Sequence, residues 1–492
     1  MPDLIKRPYL NLLNTNMYDI IVIGAGSGGL NIASFMNSIG LKVLLIDRSD
    51  EHIGGDCLNT GCVPSKALIH IARQHKNAQE VTAFGPRLSE SIDIQKVMAH
   101  VKAAQDVIRE HESAEYFRSK GIDVVLGEAT FAGKNAVKVG DSVYHGKKII
   151  LATGSRPRTL TIPGVEEVER GGRLFTNENI FSLTNLPKRL LVIGAGPIGI
   201  ELGQAFRHLG SEVAIVTNDA KILPREDGTL SSILYERLKE DGVIFHFDKN
   251  TLQFEKGDTI VVEDITTKTE EKLYFDAVLV SIGRVLNTDG LTLENAGIKT
   301  DERGKILVDE YLRTTNKQVF VCGDVAGQHQ FTHAAELHAG IIIKNMLTPF
   351  FKKKLSTDTL SWVTYTTPEL ATYGLNEAEL KKRNVAYKVL ESSFAEDDRA
   401  ITDGARYGYT KMFVDSKTKK ILGGTMVAPN AGELIQELIM ATTSKLTTSA
   451  IFNKIYPYPT AGRINKRVVM NGERGRLTPF VKKVMRLLYS LN

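Results

Sequence analysis

Cysteine is scarce in this 492-residue chain, with three in all. That is too few for the disulfide framework that holds small secreted domains together. Long apolar runs are missing too, and none approaches the ~20 residues that span a bilayer. Charge of one sign is not in excess: 62 Lys and Arg against 57 Asp and Glu leave +5. No basic stripe is interleaved with aromatics, so a nucleic-acid partner is not expected. The opening MPDLIKRPYLNLLNTNM has no continuous apolar core and no small-residue cleavage site, so it does not read as a secretory signal. Residues 1–16 read as a loosely docked or disordered extension ahead of the first strand. Cytoplasm is the expected compartment, and there a close cysteine pair is more often catalytic or metal-binding than structural.

What is present is ordinary globular composition, 42% hydrophobic and 24% charged, enough for three or four domains. Residues 18–47, YDIIVIGAGSGGLNIASFMNSIGLKVLLID, give a buried strand, Gly24-x-Gly26-x-x-Gly29, a helix and a second strand ending in Asp47. Gly24 permits a tight turn, Gly26 lets the backbone approach a pyrophosphate, and Gly29 lets helix and strand pack closely. Asp47 falls where an acid can bind a ribose hydroxyl. The pattern recurs in residues 189–217, RLLVIGAGPIGIELGQAFRHLGSEVAIVT, with Gly194, Gly196 and Gly199. Its second strand ends in Thr217 and Asn218 instead of an acid, with Lys221 and Arg225 a little beyond. NADH and NADPH both stay open, with a slight lean to NADPH. Two dinucleotide folds imply hydride passing between a flavin and a nicotinamide, FAD first in the chain.

Two of the three cysteines, Cys57 and Cys62, lie in GGDCLNTGCVPSK at 54–66. A closed zinc site wants four ligands, and no second Cys/His cluster is available to complete one, so no metal site is expected. A redox pair and two ordinary buried thiols both remain as readings of these residues. A straight helix would place positions five apart on different faces, and Gly61 together with a break at Pro64 is expected to bend the segment.

The first fingerprint, GGDCLNTGCVPSK, ILATGSRP at 150–157, the second fingerprint and VFVCGDVAG at 319–327 occur in that order. Together they resemble the class I pyridine nucleotide–disulfide oxidoreductases, from about residue 18 to 470. The resemblance implies an α/β protein with two Rossmann-like domains, for FAD and NAD(P), plus an α+β interface or dimerisation domain. The expected division is an FAD domain over 17–160 and 284–350, an NAD(P) domain over 161–283, an interface domain over 351–470 and a basic tail over 471–492. Members of the family are homodimers in which the partner's interface domain completes each active site.

The resemblance also assigns roles. Cys57 and Cys62 would form a redox disulfide, Cys57 exchanging with substrate and Cys62 facing the flavin. Lys66 would lie by the flavin with Glu201 as its carboxylate partner; read alone, both would pass for solvated helix residues. Thr153, Gly154, Asp324, His333 and Ala334 would join Gly24, Gly26, Gly29, Asp47 and Lys66 at FAD. Glu201, Thr217 and Gly283 would join the second glycine set at NAD(P). Asp324 would hold the ribityl chain, and FTHAA at 331–335 would open a helix toward the flavin. Cys322 reads as an inert core thiol.

Two departures bear on function. Pro197 stands where some relatives carry a tyrosine gating the nicotinamide. More consequentially, disulfide-reducing relatives place His-Pro-Thr and then Glu beside the exchanging thiol, because imidazole titrates near neutrality. Here the segment reads YPYPTAGRIN: Tyr458 replaces the histidine, Arg463 replaces the glutamate, and no histidine follows His338. Phenol, with a pKa near 10, is a poor base at neutral pH. Mercuric reductases are similar in carrying tyrosine there, but they normally end in a vicinal cysteine pair that this chain lacks. Tyr458 reads equally as a packed interface aromatic.

The expected function is therefore an FAD-dependent NAD(P)H oxidoreductase passing electrons through Cys57–Cys62 to a thiol-reactive acceptor, mercuric-reductase-like. The alternatives are a dihydrolipoamide dehydrogenase or glutathione reductase type of enzyme, and a diaphorase or quinone reductase acting at the flavin. In the tail, Leu477, Phe480, Val484 and Leu488 share a helical stripe. It is expected to pack on the body, with weak contact to an anionic membrane surface as the second reading.

Overall fold

The computed structural model describes residues 17–85, 91–474 and 479–491. The expected N-terminal extension, 1–16, and Leu477 of the tail stripe lie outside the described residues.

One compact unit comprises residues 1–63, 104–156 and 284–355. Its centre is the parallel strand Met17–Ile23, flanked by Val43–Asp47 on one side and Ser142–Leu151 on the other. Both faces of this sheet are covered, which is why its strands read as unbroken apolar runs. Ile20 and Val22 face a core built with Ile32, Met36 and Ile342. Their neighbours Ile21 and Ile23 face a second core with Leu44, Ile149 and Val319. Asp123–Leu126 extends the sheet beyond Val43–Asp47. The long strand Ser142–Leu151 serves two further partners besides Met17–Ile23. Its first half pairs antiparallel with Ala136–Val139, and its last residues pair parallel with Val319–Val321. That second pairing returns the distant CGD segment to the C-terminal edge of the sheet, where ligands bind in open α/β sheets.

The other unit comprises residues 64–103, 157–283 and 356–492. It repeats the parallel arrangement in the order Ile244–His246, Glu212–Val216, Arg189–Ile193, Ala277–Val280, Leu174–Phe175. A three-stranded antiparallel sheet, Lys249–Glu255, Thr259–Asp264 and Glu270–Tyr274, belongs to the same unit. A five-stranded antiparallel sheet follows, ordered Ser361–Thr364, Glu369–Gly374, Ile421–Ala428, Tyr409–Asp415, Tyr387–Ser393. The fold class is as the sequence implied, α/β with two dinucleotide folds and an α+β domain. The tail differs from expectation. Helix Pro479–Tyr489 forms, yet none of its residues is buried, so its apolar stripe does not pack on the body.

His338 lies in the helix Thr332–Leu347 and is buried. Its Nδ1 accepts the Gly323 N–H at 3.2 Å, and its Nε2 has no protein partner. Burial, with the nearby His329 charge, lowers its pKa from 6.5 to about 4. The folded state therefore resists protonation while the unfolded chain takes it up below 6.5. Stability is fully present above that pH and is lost as pH falls toward 4, by about 3 kcal/mol over the interval. Urea unfolding at several pH values should reveal this slope, and His338→Gln should flatten it.

Candidate active site

The cysteine loop is built by a break between two helices. Gly55–Asn59 ends at Thr60, and a twenty-residue helix starts at Cys62. The turn is tight because a Cβ at Gly61 would stand 2.8 Å from the Asp56 carbonyl oxygen. The bend expected from Pro64 is not where the chain turns. Pro64 is the third residue of the new helix, where no intrahelical N–H bond is lost. The break lets Cys57 and Cys62 meet, and both are free thiols within hydrogen-bonding reach of each other. The neighbouring Cys62 sulfur, then burial, push the Cys57 thiol far above its ordinary range. Cys62 is exposed and starts a helix, whose dipole favours negative charge on its sulfur. Its Sγ lies 3.3 Å from Thr332 Oγ1, at the start of the helix Thr332–Leu347.

A polar chain ties this loop to the CGD segment. Arg284 Nη2 donates to Asp56 Oδ2 and to the Ser155 carbonyl, and its Nε donates to Ser155 Oγ at 2.7 Å. Ser155 Oγ donates to Asp324 Oδ2 at 2.6 Å. Burial raises the Asp324 pKa, opposed by the Ser155 hydroxyl and the Arg284 charge. Asp56 also accepts from Thr60, at the break itself. Thr153 and Gly154 are held by Asn287: Thr153 Oγ1 donates to its carbonyl at 2.7 Å, and the Asn287 N–H donates to the Gly154 carbonyl at 3.0 Å. His333 stacks on Phe331 with ring centroids 5.3 Å apart, and Ala334 is buried. Cys322 is buried in the core with its Sγ 3.5 Å from the Ala335 carbonyl, and burial raises its pKa.

The two glycine loops are built alike. Gly24 has φ +103°, and a Cβ there would stand 2.2 Å from Ala152 O; Gly194 has φ +107°, with Ser281 O at 2.5 Å. Each loop is thus pressed on the end of the next parallel strand and opens into a helix, whose first-turn amides lack intrahelical acceptors and can face a ligand. Asp47 Oδ2 accepts the Ala25 N–H at 2.5 Å, and the Gly55 backbone packs against Gly26. Added Cβ atoms at Gly154, Gly196 and Gly283 would meet only open space. Glycine-lined loops and open room fit a dinucleotide in each fold, and the first fold adds a strand-end carboxylate, Asp47.

In the second unit Lys66 Nζ donates to Glu201 Oε2 at 2.7 Å, and the buried Glu201 accepts the Tyr365 N–H through Oε1 at 2.9 Å. The Lys66 ammonium also sits 4.5 Å above the Tyr365 ring. Neither residue is a loose surface charge. Thr217 is buried, and the Asp219 carboxylate lies 3.4 Å from its hydroxyl. Asp219 supplies an acid two positions beyond Thr217, where the strand itself offers none. Tyr458 is 68% exposed, with the Arg463 guanidinium 5.2 Å above its ring. Tyr456, by contrast, donates to Glu437 at 2.7 Å, and burial followed by that bond raises its pKa. Among the described residues no cluster of three metal-ligating side chains occurs. Sequence reasoning missed Asp56, Ser155, Arg284, Thr332, Tyr365 and Asp219. Each acts through a partner far along the chain, except Asp219, which a wider window past Thr217 would have reached.

A close thiol pair in a chain that carries two dinucleotide folds defines a flavin- and nicotinamide-dependent oxidoreductase. The chain belongs to the pyridine nucleotide-disulphide oxidoreductases: that family's model matches residues 18–339, and its dimerisation domain matches 360–467. FAD and NAD(P)H are the cofactors of this family. Dihydrolipoyl dehydrogenase of Thermus scotoductus is 34% identical over 449 residues, 90% of this chain and 95% of that protein. Mercuric reductase of Staphylococcus aureus is 31% identical, covering 90% of this chain and 80% of that protein. The Cu(II) complex of the HOCl-induced flavoprotein disulfide reductase RclA from Escherichia coli superposes with a TM-score of 0.80 at 27% identity, covering 93% of this chain and 99% of that one. The mercuric-reductase-like assignment is thereby coarsened to the family, since dihydrolipoyl dehydrogenases are equally similar.

Gly61→Ala tests the geometry of the break. Mild oxidation of the wild type should leave one of its three thiols titratable in denaturant, and in the variant the loss of the pair should be slower by about tenfold, a barrier of roughly 1.4 kcal/mol.

Proposed function

We propose that this enzyme uses NAD(P)H to reduce a soft, thiol-binding metal ion held at Cys57 and Cys62, with Hg(II) as the first acceptor to test. Bound FAD supplies the relay that accepts a hydride and yields two electrons. The observation that carries the reading is the exposed Tyr458 beside Arg463, in a chain with no histidine after His338. Reduction of a disulfide has to protonate a leaving thiolate, and a phenol with an adjacent cation is poorly suited to give and retake that proton near neutrality. A metal ion carries no leaving thiolate of its own, and its departure as Hg(0) returns the two enzyme thiolates, which retake their protons from solvent. It binds the sulfurs with loss of their two protons, and Hg(II) becomes Hg(0) on taking two electrons.

The thiol pair suits this role. The Cys57 thiol holds its proton, while Cys62 is exposed at a helix start whose dipole favours negative charge, so an incoming ion meets Cys62 first. Lys66 follows Cys62 by four residues on the same helix, which puts both on one face. Its ammonium is held by Glu201 and places positive charge on that face. Asp56, pinned by Arg284, orients the segment bearing Cys57. Tyr458 is exposed on the domain that matches the family's dimerisation domain, and the family resemblance would bring it toward the partner's exchanging thiol. The likenesses to a mercuric reductase and to a disulfide reductase solved with Cu(II) support a metal acceptor. The equal likeness to dihydrolipoyl dehydrogenases keeps lipoamide as the comparison substrate.

The purified holoenzyme should oxidise NAD(P)H with Hg(II) faster than with lipoamide or glutathione disulfide. Cys57→Ala should lose the metal-dependent rate by at least about a hundredfold, roughly 3 kcal/mol of barrier. It should keep quinone-dependent oxidation within about twofold, an effect under 0.5 kcal/mol. A variant that keeps both rates alike would point to a reaction at the flavin.

Asp219 bears on the nicotinamide. A carboxylate beside Thr217 accepts a ribose hydroxyl and repels a 2′-phosphate, which moves the sequence-based lean from NADPH to NADH. The expected kcat/KM is higher for NADH, and Asp219→Asn should narrow the NADH-to-NADPH ratio about tenfold, or ~1.4 kcal/mol.

A further inference from the structure

The tail helix Pro479–Tyr489 is amphipathic and unburied. At 100° per residue, Phe480, Val484, Leu487 and Leu488 fall on one face, and Lys482 and Arg486 fall on the opposite one, with Lys483 between the two. The apolar face is open to solvent: Phe480 is 75% and Leu487 61% exposed. Five cations, Arg474, Arg476, Lys482, Lys483 and Arg486, stand in the last nineteen residues, 474–492, with no Asp or Glu among them. The helix starts beyond residue 467, where the dimerisation-domain match ends. No helix among the described residues is long and apolar enough to cross a membrane.

We propose that this helix docks the enzyme on an anionic lipid bilayer, lying in the plane of the surface. Apolar side chains of this size enter the headgroup boundary, while lysine and arginine on the other face reach outward to lipid phosphates and carboxylates. A second copy of the helix is the poorer occupant. It would bring Lys482, Lys483 and Arg486 against the same cations with no acidic residue to pair them, whereas anionic headgroups supply the missing charge. The consequence is an oxidoreductase held at a membrane surface by a reversible contact.

The test is co-sedimentation of the full-length holoenzyme with vesicles. The wild type should pellet with phosphatidylcholine–phosphatidylserine vesicles, stay in solution with phosphatidylcholine alone, and be released by raised salt. Lys482→Ala with Lys483→Ala should weaken partition about twenty-five-fold, at about fivefold per cation. Val484→Asp with Leu488→Asp should abolish it, with flavin absorbance and NAD(P)H oxidation unchanged in both variants. The proposal is overturned if the wild type stays in solution with anionic vesicles, or if the Asp variant still pellets. A fall in solution mass of the Asp variant by light scattering would also overturn it, because the face would then be a contact between copies.

Discussion

The Arg284 guanidinium holds the site together. It is nearly buried, and its donors reach two carboxylates, Asp56 and Asp324, directly or through Ser155. A largely buried carboxylate such as Asp324 is costly without a partner, and the partly exposed Asp56 is tied to the same guanidinium, so this cation links both segments. Asp56 precedes Cys57 and accepts from Thr60 at the helix break, so fixing Asp56 fixes the turn that brings the two sulfurs together. Asp324 begins the short 3-10 turn after Gly323, so fixing it also fixes the segment that leads to the helix bearing Thr332. One interaction therefore orients the thiols and the wall they face.

Chemistry follows from how charge is divided over that frame. Cys57 is held protonated, and Cys62 sits at a helix start beside a hydroxyl. Lys66 is kept in place by a carboxylate and an aromatic face. The electron side of the machine is thus heavily determined. The proton side is not: Tyr458 is exposed, with only a guanidinium over its ring, whereas the neighbouring Tyr456 is tied to Glu437. A site rich in electron-handling groups and poor in proton-handling ones favours an acceptor that needs electrons alone.

Much of the fold was legible because its signals are local. A strand, a glycine turn and a helix follow one another within thirty residues, twice, and the physical demands on Gly24 and Gly194 are the same. The cysteine loop was half legible. The family resemblance implied its redox chemistry, but the bend was shared between Gly61 and Pro64, when the chain turns at Thr60 and Gly61 alone. Proline is tolerated in a first helical turn, so it marks a start as readily as a break. The tail stripe was legible as amphipathic, but a stripe does not state what covers it.

The sequence by itself determined the two dinucleotide folds, the thiol pair and the missing histidine, because spacing and residue type are enough for each. Only the tertiary structure decided that Arg284 joins Asp56 to Asp324, that Glu201 is a buried partner of Lys66, that Asp219 stands beside Thr217 and that the last helix is bare. Those facts depend on side chains meeting across separations of up to 228 residues, or on burial. No local pattern encodes such meetings, because the folded sheets rather than the chain order bring the groups together.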